Sequence, residues 1–242
     1  MWIAVTIDHN PNITNNILIE SPTNSLKKSL NFFYYQLNIS HLGNVNRFHI
    51  LREEILNNLP KVKVHPDDLY IYLRGGDAFK IINRPCISYA QPPLCFYKII
   101  LNKFKFREIK IISEDKFNPI LLLLLEQFYH IKYVKNNLKL DISYLANSYN
   151  TISAKSSFIV SIIKLNNNLK FLWEYDFYKL SERYLHLHYS VYAYPFKYII
   201  YLMKASEIYK KSMYPFFNTE KQRKLMIKER CDNNFYIIPP RT

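Results

Sequence analysis

From Asp67 to Trp173 the chain repeats one pattern: a short apolar run rich in β-branched and aromatic residues, then a longer segment with helix signals. That alternation constrains the fold more than any other feature. Leu69-Tyr-Ile-Tyr-Leu73 reads as a buried strand ended by Gly75-Gly76. Pro92-Pro93 opens a helix to about Phe104, since proline is tolerated in a first turn. Glu108–Ile112 then reads as a strand, Pro119–Tyr129 as a helix, Ile131–Val134 as a strand and Asp141–Ser148 as a short helix. Thr151–Ala154 is the next strand, Ser156–Leu165 a helix whose first serine caps it, and Leu169–Trp173 the final strand. Strands alternating with helices of this length form a parallel sheet with helices on both faces. The expected fold class is α/β, a Rossmann-like parallel sheet, whose ligands bind at the carboxyl ends of the strands.

The flanks divide the chain into three. Residues 1–65 form a partial N-terminal segment with candidate helices at Ser25–Leu37 and Arg47–Leu59. Residues 66–180 form the nucleotide-binding domain. Residues 181–242 form a basic, Tyr-rich segment, helical around Tyr198–Lys211 and Thr219–Glu229. There are no internal repeats and no linker rich in Gly or Ser.

The chain has only three glycines, Gly43, Gly75 and Gly76. A chain this poor in glycine places it where the backbone leaves no alternative, so the adjacent pair directs attention to Leu73-Arg74-Gly75-Gly76-Asp77. Arginine presents a fixed fork of donors that matches phosphate oxygens in pairs. Adjacent glycines let a backbone approach a ligand closely, and Asp77 can orient Arg74 or cap the next segment. A plain turn with a surface arginine is the competing reading. After the second strand, Ser113-Glu114-Asp115 offers acidic groups that accept from a base or ribose, or that cap the following helix. A third constellation runs from Asp141, at the start of a short helix, to Ser156-Ser157, which open a helix directly after a strand. Free N–H groups at a helix N-terminus beside two hydroxyls suit a phosphate, although paired serines open unliganded helices as well.

The formal net charge is +14. Such a balance favours nucleic acid, acidic membranes or phosphorylated ligands, but these lysines are scattered among many Asn, Ile and Tyr, as codon bias in an AT-rich genome produces. The cysteines are Cys86, Cys95 and Cys231, without a C-x-x-C pair or a His at zinc spacing. This argues against a disulfide framework and against a structural metal. His186-Leu187-His188 shares one face of an extended chain but has no Cys or acidic partner nearby, so a packed or surface pair is expected. The longest apolar run, Ile120–Leu125, is too short to span a bilayer, and the N-terminus lacks the basic and apolar regions of a signal peptide.

Leu73-Arg74-Gly75-Gly76-Asp77 resembles the H-x-R-x-G-D motif of the fucosyltransferase superfamily that includes the α1,2-, core α1,6- and protein O-fucosyltransferases. Leu140-Asp-Ile-Ser-Tyr-Leu-Ala-Asn-Ser148, with Ser156-Ser157 fifteen residues after Asp141, is similar to the later motif of these families: an Asp opens a helix, a strand follows, and a Ser/Thr-Ser pair starts the next helix. Tyr89-Ala-Gln-Pro-Pro-Leu-Cys-Phe-Tyr97 stands where these proteins begin the helix after the R-G-D turn. The resemblance covers roughly Val64 to Tyr175.

It implies the donor half of a GT-B fold. Arg74 would hold the β-phosphate of a GDP-sugar and stabilise the charge that develops there. Asp141 would accept hydrogen bonds from guanine. Ser156, Ser157 and the N–H of Phe158 would hold the phosphates, with Gly75, Gly76, Asp77 and Asp115 completing the nucleotide site. The family is usually metal-independent, and this sequence has no D-x-D, so no metal and no cofactor beyond the donor substrate, GDP-fucose, is expected. Two departures stand out. Tyr72 replaces the motif's first residue, commonly His, and supplies no imidazole. Residues 1–65 are too few for a full first Rossmann-like domain.

The resulting expectation is an inverting fucosyl transfer from GDP-fucose to a hydroxyl of a glycan or glycoprotein, with no nucleic-acid partner and no transmembrane segment. The compartment would be cytoplasmic if the chain is complete and the Golgi or ER lumen if an anchor lies upstream. One alternative is a non-catalytic GDP-sugar-binding or scaffold protein derived from such an enzyme. Another is a basic RNA-binding protein that stacks bases on its tyrosines.

Overall fold

The computed structural model describes residues 55–80, 90–177 and 196–240. The candidate helix Ser25–Leu37, most of Arg47–Leu59, Cys86 and the His186/His188 pair lie outside the described residues.

Seven described strands form one sheet: β1 Leu69–Tyr72, β2 Ile109–Ile112, β3 Ile131–Val134, β4 Asn150–Ile152, β5 Phe171–Asp176, β6 Ile199–Lys204 and β7 Tyr236–Ile238. Their spatial order is β3-β2-β1-β4-β5-β6-β7. The first six run parallel, and β7 closes the edge antiparallel to β6. The order 3-2-1-4-5-6 is the Rossmann arrangement, whose winding reverses between β1 and β4. The described helices are α1 Asp77–Lys80, α2 Leu94–Lys103, α3 Pro119–Gln127, α4 Leu138–Asn147, α5 Ser157–Leu165, α6 Glu207–Met213 and α7 Glu220–Lys228.

Alternate residues of a strand face opposite sides of its sheet, and β1 feeds two cores in this way. Leu69, Ile71 and Leu73 pack with α2, α3, α6 and α7 through residues such as Phe96, Ile100, Leu124, Tyr209 and Met226. Tyr70 and Tyr72 pack with α4 and α5 through Ile142, Leu145, Ile159 and Ile163. Burial on both faces is why the strands read as continuous apolar runs. Helix starts follow their caps. Asn118 accepts from the Ile120 amide ahead of Pro119, Asn137 from Leu140 and Ser156 from Phe158, while Thr219 and Gln222 form a reciprocal capping box.

Several expectations change. Asp141 does not open its helix: Asn137 caps it four residues earlier, leaving Asp141 within the first turn. Phe171–Asp176 is not the last strand. Residues expected to be helical from Tyr198 instead form β6, which pairs along all six residues of β5, and helix resumes only at Glu207. A short run such as Ile199-Ile-Tyr-Leu-Met203 carries no period that separates strand from buried helix. Thr219–Glu229 is helical as expected. Cys95 and Cys231 form a disulfide with Cα atoms 5.6 Å apart, contrary to the expectation from spacing. The partners lie 136 residues apart, on the first turn of α2 and just after α7, and α2 packs against α7; local spacing carries no trace of such a pair. No helix of the described residues is long and apolar enough to cross a membrane.

Candidate functional site

The reversal of winding separates the loops after β1 and β4 at the carboxyl edge of the sheet. Arg74 leaves β1 on the α4/α5 side, in step with Tyr70 and Tyr72, and is buried to 5% exposure. Ser156 ends the β4 loop and caps α5. The two meet across the reversal, Arg74 Nη1 donating to Ser156 Oγ at 3.5 Å. The Tyr72 phenol hydrogen-bonds with both side chains, and its ring lies 5.3 Å from that of Phe158. Burial pushes the Tyr72 phenol up and the Arg74 charge only partly opposes it, so Tyr72 acts as a neutral hydrogen-bonding group.

The turn that carries Arg74 is fastened by the loop after β2. Asn118 Nδ2 donates to the Arg74 carbonyl at 3.0 Å. Asp115 accepts from the Gly76 amide at 2.8 Å and from the Phe117 amide at 2.9 Å. A Cβ on Gly75 would stand 2.8 Å from Asp115 Oδ1 and 3.0 Å from Ser113 Oγ. Gly76 has φ +58 and a Cβ there would run into the Glu114 carboxylate. The approach of the β2 loop therefore accounts by itself for glycine at both positions. Asp115, expected to contact nucleotide, spends both carboxylate oxygens on backbone amides. Ser113 Oγ is buried beside Gly75 with no hydrogen-bond partner among the described residues.

The remaining expected site residues spread around this centre. Asp77 begins α1 directly after the turn, and Ser157 begins α5. The Phe158 amide is taken up by Ser156 Oγ at 3.2 Å. Asp141 accepts from Asn136 Nδ2 at 3.1 Å, and no hydrogen bond joins it to Arg74 or Ser156. Burial raises its carboxyl to about 6, with Asn136 opposing.

Sequence reasoning missed Lys155, the residue before the α5 cap. Its side chain is half-buried, and burial lowers its ammonium to about 8, with Asp176 opposing. Nζ lies 5.2 Å from the Phe177 ring centre. The Lys155 carbonyl accepts from Gln91 Nε2 at 3.0 Å, and the Gln91 carbonyl accepts from the Tyr209 hydroxyl at 2.8 Å. This chain of bonds ties the β4 loop to α6. A lysine directly before the Ser-Ser pair was the available signal, hidden among 33 basic residues. Among the described residues no group of three or more His, Cys, Asp and Glu gathers as a metal site. No family model, curated protein or solved structure matches the chain.

Proposed function

We propose that this chain binds the diphosphate of a sugar nucleotide in the crevice between the β1 and β4 loops, and that it is a glycosyltransferase using GDP-fucose. One observation supports this most: a buried guanidinium and a helix-capping hydroxyl converge at the point where the winding of the sheet reverses. That point is where open α/β sheets hold their ligands. A helix N-terminus adds positive potential to the same place. In the transfer, a hydroxyl oxygen of a glycan or protein attacks the anomeric carbon. The bond from that carbon to the β-phosphate oxygen breaks, the electron pair stays on the phosphate, and the hydroxyl proton passes to solvent or to the departing phosphate. Arg74 stabilises the growing charge, an interaction stronger in the transition state than in the ground state. Attack opposite the leaving group inverts the anomeric centre. Lys155 adds a second cation at the β4 loop. Asp141, half-buried on α4, reads guanine.

The test is calorimetric titration with GDP and UDP in the presence of EDTA, followed by a donor-hydrolysis assay with GDP-fucose. The reading expects GDP to bind more tightly than UDP with no divalent cation. Equal affinities would remove the role of Asp141, and no binding of either nucleotide would end the proposal. Binding of GDP with no turnover on any acceptor would favour the non-catalytic alternative.

A further inference from the structure

We infer that the amino-terminal edge of the sheet holds a second ligand site, which takes a small planar aromatic carboxylate. A cavity of about 220 Å³ opens there. It is reached past Pro66 and Asp67, which precede β1, and past Asn150 and Phe171, the first residues of β4 and β5. It therefore lies at the opposite end of the strands from Arg74 and Ser156.

Its walls are aromatic: Phe104, Phe106, Phe171, Trp173 and Tyr201. Trp173 and Tyr201 are register partners on β5 and β6, and their rings stack at 5.4 Å with 11° between planes. Phe104 and Phe106 meet Trp173 edge-on at 5.3 and 5.6 Å. Flat, rigid walls of this kind favour a flat ring. Trp173 is itself 1% exposed, so it forms the packed floor beneath the more open rings of Phe104, Phe106, Phe171 and Tyr201.

Charge completes the assignment. Two exposed lysines, Lys105 and Lys170, line the opening. Lys170 Nζ stands 5.4 Å from the Tyr149 ring. The acidic residue on the lining, Asp67, sits 3.6 Å from His65 Nδ1. Two cations against one carboxylate favour an anion. The cavity is smaller than the range of about 300–1,000 Å³ typical of sites for larger ligands. A nucleotide is too large for it, whereas one ring with a carboxylate fits.

The test uses the full chain with Trp2→Phe, which leaves Trp173 as its one tryptophan. Tryptophan emission is followed while benzoate is added, with benzamide as the uncharged counterpart of the same shape. The expected result is a saturable change with benzoate and binding about tenfold weaker for benzamide, the loss of one screened charge contact. Lys105→Ala/Lys170→Ala should reduce benzoate to the level of benzamide with an unchanged melt, because both lysines are exposed. GDP affinity should be the same with and without benzoate. Three outcomes would overturn the inference: a benzoate response that never saturates, equal affinity for the two probes, or a double variant that binds benzoate as the parent does.

Discussion

The two edges of the sheet use the same kinds of side chain to opposite ends. At the amino edge, Arg107 donates through Nε and Nη2 to both oxygens of the buried Asp68, at 2.8 Å each. Glu108 lies between Lys110 at 2.7 Å and Lys132 at 2.6 Å. Cation and carboxylate neutralise each other there, beside an aromatic cavity. At the carboxyl edge the carboxylate of Asp115 is turned onto backbone amides, and Arg74 is directed at the hydroxyls of Ser156 and Tyr72. Ion pairs hold the first edge together. At the second, the Asp115 carboxylate holds the turn in shape and Arg74 lies beside the hydroxyls of Ser156 and Tyr72. The difference teaches that the number of charges at an edge says little, and that where the carboxylates are spent says more.

The largest effect that would break this contrast comes from a paired exchange. Arg74→Lys should lower donor turnover about 100- to 1000-fold, the usual loss on removing one donor that stabilises transition-state charge. Lysine keeps the charge but not the planar fork. Because Arg74 is buried, the melt should fall by about 2–4 °C, the equivalent of about 1 kcal/mol in a chain of this size. Arg107→Lys should do the reverse, lowering the melting temperature while turnover stays at the parent level. Kinetics and melting curves on both variants decide it. If Arg107→Lys lost turnover, or Arg74→Lys kept it, the two edges would not differ in role.

Next in size is Gly75→Ala. The added methyl meets the Asp115 carboxylate at 2.8 Å and its backbone nitrogen at 3.2 Å. Overpacking of this kind costs about 1–3 kcal/mol. A denaturant titration should show that loss together with weaker GDP binding, since the displaced turn carries Arg74. A fully stable Gly75→Ala would mean that the β2 loop does not determine the need for glycine.

The contrast between the edges was unevenly legible in the sequence. The alternation of strands and helices, and the scarcity of glycine, led directly to the parallel sheet and to the Arg74 turn. β3 is readable to the residue, Ile131–Val134, with Asn136-Asn137 as the turn signal that ends it. β6 is not, because its identity depends on β5 lying alongside it. Asp141 is not the cap of its helix; the neutral Asn137 is, and its side chain accepts from the Leu140 amide. The contact of Tyr72 with Ser156 joins the end of β1 to the cap of α5, and no local pattern encodes it. The aromatic cavity draws its walls from the α2–β2 loop, β5 and β6, which only the folded sheet brings together.

A smaller effect sharpens the comparison through pH. If Asp141 must be ionised to accept from guanine, GDP affinity should fall as pH drops through about 6. If Lys155 must be protonated to meet the diphosphate, affinity should also fall as pH rises through about 8. One pH unit beyond either value, about a tenth of the molecules keep the competent form, so affinity changes by about tenfold at most. Titrations at pH 5, 7 and 9 should give a maximum in the middle. Asp141→Asn should flatten the acidic limb and Lys155→Met the basic one. A profile flat in the parent protein would exclude both residues from the nucleotide site.

The smallest effect tests the amino edge alone. Hydrogen bonds from Lys110 and Lys132 hold the Glu108 carboxyl at about 2, below its ordinary 4.5. A carboxyl lowered in the folded state adds stability that is fully present above its unfolded value, and this is lost as pH falls through the folded one. Glu108 should therefore stabilise the fold from neutral pH down to about 4.5 and lose that contribution between there and 2. Its side chain is 22% exposed and Lys132 is 68% exposed, so solvent screens the pairs and the whole contribution is about 1 kcal/mol or less. Glu108→Gln should lower the melting temperature slightly at pH 7 and leave it nearly equal to the parent's at pH 2. GDP affinity should be untouched at pH 7, because the pairs lie a full strand length from Arg74. A Glu108→Gln protein that melts with the parent at pH 7 would show that these surface pairs add nothing measurable. The stability of the amino edge would then rest on the pairing of buried Asp68 with the exposed Arg107 and on the aromatic packing beside it.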